Sequence, residues 1–193
     1  MKLVLATWNQ EKIKWLRRDF SKLGFNVITL SEYEFGDVDD VEEVGQTCAE
    51  NATIKVDAVR SDGNSIIIGE DSGLFIEDLN GFPGVKTARW MEGTDEDRAQ
   101  EILNKMEFSN ERTAYFESAI AAKFPDGSIE HSIGRLQGTI SQERRGDLGE
   151  GYARIFEVED SLTIAEIGAD QIAKSDHRKI SISKMSKKIV LIN

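Results

Sequence analysis

Short apolar runs alternate with amphipathic stretches through the first hundred residues of the chain. KLVLAT, residues 2–7, is apolar enough for a buried strand and runs into the polar turn WNQEK, after which Ile13, Leu16, Phe20 and Leu23 recur at helical spacing. FNVITL predicts a second strand, and the acidic stretch from Ser31 to Gln46 predicts an irregular loop. TCAENATIKVDAVR opens with the Thr-x-x-Glu pattern of a capping box, and Cys48, Ala52, Val56 and Val59 follow on one helical face. SIIIGE and LFIEDL predict two short strands, with Ser72-Gly73 suited to a tight turn between them. NGFPGV carries the Gly and Pro of a further turn, and a helix is expected from Asp95 to Met106.

From Arg112 onward the pattern changes. TAYFESAIAAKF and SIEHSIGRLQGTI predict two long strands joined by PDGS as a hairpin. QERRGDLGEGYA then reads as a Gly-rich charged loop, RIFEVE as a strand, and the end of the chain as a helix starting near His177. Early alternation of helices and strands with a late hairpin predicts an α/β fold with a mixed sheet, built as one domain of two lobes over residues 1–193.

Composition narrows the function classes. No apolar run approaches the roughly 18 residues that cross a bilayer, and MKLVLATWNQEK lacks the long apolar core and cleavage pattern of a secretory leader, so a cytoplasmic location is expected. Cys48 is the single cysteine and His131 and His177 the two histidines, which excludes an internal disulfide and points any metal towards oxygen ligands. A formal net charge of -11 argues against a broad nucleic-acid surface, while a polyanionic small molecule can still be held by a few converging cations and a divalent metal.

Several positions carry candidate chemistry. Thr7, Asn9 and Lys12 lie at a helix N-terminus, where free N–H groups and the helix dipole favour a phosphate; alternatively, Asn9 is a cap and Lys12 is solvated. Glu70 and Asp71 end a predicted buried strand, the edge where open α/β sheets place ligands. Alternation points them opposite ways, so only one faces a site, where it could hold Mg2+; the alternative is a turn in which the Asp bonds its own backbone. Glu43 lies in the acidic loop just ahead of the capping-box helix, in which Glu50 is the expected partner of Thr47. Lys55 is either a snorkelling lysine or a phosphate contact, and Gly149, Gly151 and Tyr152 form either a ligand-lining loop or a β-turn. His177 and Arg178 sit at a helix start against the dipole, which suggests an anion or polar base nearby, with Asp176 as an alternative N-cap.

In order along the chain, ATWNQEK, EEVGQTCAENATIK, GEDSGLFIEDLNGFPGVKTARW, RRGDLGEGYARIF, TIAEI and SDHRK resemble the ITPase (Ham1 or RdgB) family of non-canonical purine nucleoside triphosphate pyrophosphatases. The resemblance implies a long central mixed sheet flanked by helices, with two lobes and an active-site cleft between them. It implies Mg2+-dependent hydrolysis of ITP, dITP or XTP to the monophosphate and pyrophosphate, by a homodimer acting on a small-molecule nucleotide with no nucleic-acid or membrane partner. By position, Thr7, Asn9 and Lys12 would hold the triphosphate, Glu43 and Asp71 the metal, and Asp71 would also be the general base. Ser72, Lys55 and Arg89 match further substrate contacts, as do Gly149, Glu150, Gly151 and Tyr152 in the Gly-rich loop; Lys174, His177 and Arg178 match residues that read the base.

The chain departs from the family pattern on the base-reading side. The family's Gly-Phe-Gly-Tyr-Asp-Pro is Gly149-Glu150-Gly151-Tyr152-Ala153-Arg154 here, Asp176 replaces a Ser, and Lys174 matches the family lysine only across a two-residue gap. Trp8, in the phosphate loop, stands where the family has a small residue. These differences predict the same reaction with an altered base preference. A nucleotide-binding protein with weak turnover is the competing expectation.

Overall fold

Alternation along the first strand sets up the layering. In the computed structural model, which describes residues 2–172 and 175–192, β1 (Lys2–Leu5) pairs in parallel with β2 (Asn26–Thr29) on one side and β3 (Ile66–Ile76) on the other. Successive side chains of a strand point to opposite faces. Leu3, Leu5, Ile66 and Ile68 therefore pack with Leu16 and Phe20 of α1 (Gln10–Lys22) and with Ile182 and Met185 of α5 (His177–Ile192). Val4, Ala6 and Ile67, one residue out of step, pack with Ala52 and Val56 of α2 (Cys48–Ala58). One face is covered by α1 and α5, the other by α2.

The sheet continues through β5 (Thr113–Lys123), β6 (Ile129–Ile140) and β7 (Phe156–Glu157), in the order β2-β1-β3-β5-β6-β7, with β4 (Pro83–Gly84) beside β3. The pairs β3–β4 and β6–β7 are antiparallel, so the sheet is mixed, as expected. The chain forms two compact units, one of residues 1–72, 118–134 and 178–193 and the other of 73–117 and 135–177. The second has its own core, in which Ile102 of the helix α3 (Asp95–Lys105) and Met106, its C-cap, meet Leu74, Ile76, Ile140 and Phe156. A short helix, α4 (Ile164–Ile167), is capped by Thr163 in a capping box with Glu166. Among the described residues no helix is long and apolar enough to cross a membrane.

Three local expectations change. SIIIGE and LFIEDL are not two strands: β3 runs unbroken from Ile66 to Ile76 through Glu70, Asp71, Ser72 and Gly73. Gly73 serves close strand approach instead of a turn, because a Cβ there would lie 2.3 Å from the carbonyl oxygen of Gly84 in β4. Of RIFEVE only Phe156 and Glu157 pair as strand, since residues 151–154 wind into a 3-10 turn. Leu23 lies past the end of α1 and is 52% exposed, while Trp15 supplies the packing against the core that Leu23 was expected to give.

The α2 face is close enough to β3 that Gly69 is obligatory: a Cβ there would sit 2.4 Å from the carbonyl oxygen of Ala52. Substituting Gly69→Ala should destabilise the fold by about 2 kcal/mol through forced separation of α2 and β3. The expected readout is a lowered midpoint in urea with an unchanged slope.

Candidate active site

The parity that layers the core also aims the two carboxylates. Glu70 follows Ile66 and Ile68 towards α1 and α5, and Asp71 follows Ile67 and Gly69 towards α2. Both are buried. Glu70 pairs with Lys12 at 2.9 Å and accepts a hydrogen bond from Ser118 Oγ at 2.9 Å. Asp71 accepts from Asn51 Nδ2 at 3.1 Å and lies 3.4 Å from Lys55 Nζ and 3.7 Å from Lys12 Nζ.

The N-terminus of α1 delivers Lys12. Asn9 is the N-cap, its Oδ1 accepting from the Lys12 N–H at 3.1 Å, and Thr7 Oγ1 accepts from the Asn9 N–H at 3.2 Å. The capping role is therefore observed, but Lys12 is not solvated: its side chain is 20% exposed and faces the two carboxylates. Trp8, between Thr7 and Asn9, donates from Nε1 to the Val38 carbonyl at 3.0 Å, tying the acidic loop to this turn. That loop carries Glu43 to Lys55, whose ammonium touches Glu43, Asp71 and, at 2.9 Å, the carbonyl oxygen of Glu70. Glu50 caps α2 with Thr47.

Electrostatics separate the adjacent carboxylates. Burial alone would push Glu70 up, but Lys12, Arg178 and the hydrogen bonds from Lys12 and Ser118 outweigh it and hold the carboxyl below the usual range. Burial would likewise lower Lys12, and Glu70 and Asp71 more than offset that, so the ammonium is held firmly charged. Asp71 goes the other way. Burial pushes it up, Glu43 adds to that, and Lys55, Lys12 and Asn51 compensate only partly. The result is a fixed cation beside a carboxylate of raised basicity, the pairing wanted for gripping an anion and taking a proton from water.

The donor set suits a hard divalent cation only in company. Among the described residues no three His, Cys, Asp or Glu groups converge as a metal cage. Glu43 and Asp71 do converge, with the Lys55 ammonium between them. Mg2+ is commonly held by one or two carboxylates together with substrate phosphates, so the two oxygens groups present fit that ion in kind.

The remaining expected site residues are dispersed. Ser72 follows Asp71 on β3 and is half-buried. Arg89 is exposed in the turn after β4, in the second unit. In the same unit Glu150 is exposed, whereas Gly149 is half-buried and Gly151 and Tyr152 are buried. Gly151 has φ +54°, and a Cβ there would lie 2.5 Å from Asp95 Cβ; its N–H donates to Glu96 at 2.9 Å. Tyr152 is held inside, accepting from Trp90 Nε1 at 2.9 Å and donating to the Thr87 carbonyl at 2.9 Å. His177 is buried and stacks on Phe116, ring centroids 5.3 Å apart. Arg178, in the first unit, is exposed with its guanidinium over Trp15. Lys174 lies outside the described residues.

Sequence reasoning missed two features. Asn51 bonds Asp71 through Nδ2 and accepts from the Gly45 N–H at 2.8 Å through Oδ1, so it ties the Glu43 loop to β3. Its spacing of four from Lys55 on one helix face was the available signal. The pairing of Glu70 with Lys12 is the other, although the shared parity of Glu70 with Ile66 and Ile68 makes it a buried charge that demands a cation.

The Ham1 family model matches residues 3–188. A protein of Halalkalibacterium halodurans named "Non-canonical purine NTP pyrophosphatase homolog" is 42% identical over 94% of this chain and 92% of its own length. A "dITP/XTP pyrophosphatase" of Symbiobacterium thermophilum is 37% identical over 95% of this chain and 92% of its own. The solved structure of the Staphylococcus aureus Ham1 protein superposes with a TM-score of 0.87 at 32% identity, covering all of both chains.

The opposed electrostatics give opposed mutational effects. In metal-free buffer Glu70→Gln should lose about 3 kcal/mol, because Lys12 is left largely buried without its main partner. Asp71→Asn should leave stability within about 1 kcal/mol of the parent, or raise it, since Lys55 keeps Glu43 and Lys12 keeps Glu70. Urea unfolding of the two variants at neutral pH tests the difference; equal losses would contradict it.

Proposed function

The chain belongs to the Ham1 family, and we propose that it is a Mg2+-dependent nucleoside triphosphate pyrophosphohydrolase that converts ITP, dITP and XTP to monophosphate and pyrophosphate. The observation that carries this reading is the grouping of half-buried Lys12 and Glu43 with buried Lys55 and Asp71 at the middle of β3. The relatives named for purine and for dITP/XTP pyrophosphatase activity support the substrate class.

In this reading Lys12 and Lys55 grip the triphosphate, with Thr7 and the α1 N-terminus supplying hydrogen-bonding groups alongside. Mg2+, held by Glu43 and Asp71 with the phosphates, would supply further positive charge against the leaving pyrophosphate. Asp71 takes the proton of the attacking water, a task favoured by the upward push that burial gives its carboxyl. The bond from Asn51 to Asp71 Oδ2 orients the carboxylate for that role. His177 and Arg178 meet the purine 6-oxo group as donors, so an adenine amino group would leave donors facing donors. The protein would work as a cytoplasmic homodimer on a small-molecule substrate, without nucleic-acid or membrane partners, in keeping with its net charge of -11.

One feature favours a second reading of specificity. The family's stacking aromatic is replaced by the exposed Glu150, and Tyr152 is engaged within its own unit by Trp90 and Thr87. A carboxylate in place of a ring favours a base with additional donors over hypoxanthine.

Pyrophosphate release from ITP should require added Mg2+ and should fall by at least about a thousandfold in Asp71→Asn. Nucleotide binding without release in the parent protein would make it a binding module instead. Chromatography of products across a triphosphate panel should show a preference shifted away from ITP; a clean ITP and XTP preference removes the second reading and leaves the first.

A further inference from the structure

A line of buried hydrogen bonds leads away from the phosphate site within the first unit. Glu70 uses one carboxylate oxygen on Lys12, at 2.9 Å, and the other to accept from Ser118 Oγ, also at 2.9 Å. Ser118 Oγ lies 3.0 Å from Ser181 Oγ on α5, and Ser181 Oγ donates to the carbonyl oxygen of Arg178 at 2.9 Å, one turn earlier. Ser132 on β6 donates to the Ser181 carbonyl at 2.8 Å, which pins the same turn of α5 to the sheet. Ser118 and Ser181 are fully buried and Glu70 is 1% exposed, so water does not compete for these groups.

The proton count is decisive. Ser118 spends its single proton on Glu70, so at its contact with Ser181 it can only accept. Ser181 also has one proton, and two acceptors claim it: Ser118 Oγ and the Arg178 carbonyl. A shift of the first turn of α5 that weakens the bond to the carbonyl turns that proton towards Ser118. Ser118 then donates more strongly to Glu70, in competition with Lys12.

We propose that this chain couples the turn of α5 carrying Arg178 to the lysine at the phosphates, making Ser118 and Ser181 positioning residues through which base identity reaches turnover. The proposal rests on the assignment of Arg178 to the base and Lys12 to the phosphates given above. Neither serine touches substrate. Their effect is on where Lys12 stands once a base has engaged Arg178, so discrimination passing through them appears in kcat and not in KM.

The test compares kcat and KM for the best and poorest nucleotides of the panel, with Mg2+, in the full chain and in Ser181→Ala, Ser118→Ala, Arg178→Ala and Arg178→Ala/Ser181→Ala. Binding of the same two nucleotides is measured calorimetrically without divalent metal. Each serine variant should reduce the kcat ratio between the two nucleotides by about tenfold, with the KM ratio and the metal-free binding ratio changed less than about twofold. In the Arg178→Ala background the Ser181→Ala change should have no further effect on the kcat ratio. If Ser181→Ala slows both nucleotides equally, or adds its full effect in that background, the coupling is overturned and Ser181 only supports the helix. If Arg178→Ala leaves base preference unchanged, the base assignment itself fails, and the coupling falls with it for that separate reason. Should Ser181→Ala not fold, Ser118→Ala carries the same comparison from the strand side.

Discussion

A charge inside a sheet has to be answered, and the Lys12–Glu70 pair answers it. Glu70 occupies a strand position that Ile66 and Ile68 would continue as core, and burial there is tolerated only with a cation in contact. Lys12 must therefore come from the first turn of α1, which brings the Asn9 cap and Thr7 towards the middle of β3. On the opposite face Asp71 receives Lys55 and Asn51 from α2, and Asn51 in turn fixes the loop that carries Glu43. One residue of strand register thus decides the place of two lysines, a loop and a second buried carboxylate.

Much of this architecture is legible in the sequence. KLVLAT, the α1 periodicity as far as Phe20, the Thr47–Glu50 capping box and the late hairpin appear where the pattern puts them, because each is set by local spacing. What escapes is set by partners distant in sequence. Ser72 and Gly73 have turn composition, and only β4, whose backbone comes within contact of Gly73, explains why they continue a strand. The opposite facing of Glu70 and Asp71 follows from alternation alone. That Lys12 would close on one and Asn51 on the other follows from packing of α1 and α2, which no window of sequence contains.

The Gly-rich loop is where this chain speaks most for itself. Gly151 folds tightly against Asp95, its N–H is taken by Glu96, and Glu96 also receives Arg144 at 3.1 Å. With Tyr152 anchored to Trp90 and Thr87, the loop is held from beneath while the Glu150 side chain remains exposed. A framework so fastened lets a single position change character without disturbing Lys12, Lys55, Glu43 and Asp71, which belong to the other unit.

The chain passes between its two units at residues 72/73, 117/118, 134/135 and 177/178. The first three crossings fall inside β3, β5 and β6, and the first and last divide Asp71-Ser72 from Gly73 and His177 from Arg178. Neither unit can then be cut out, duplicated or exchanged without severing three strands of the sheet. The two units are therefore bound to one another by the strands they share, more firmly than two domains joined by a linker.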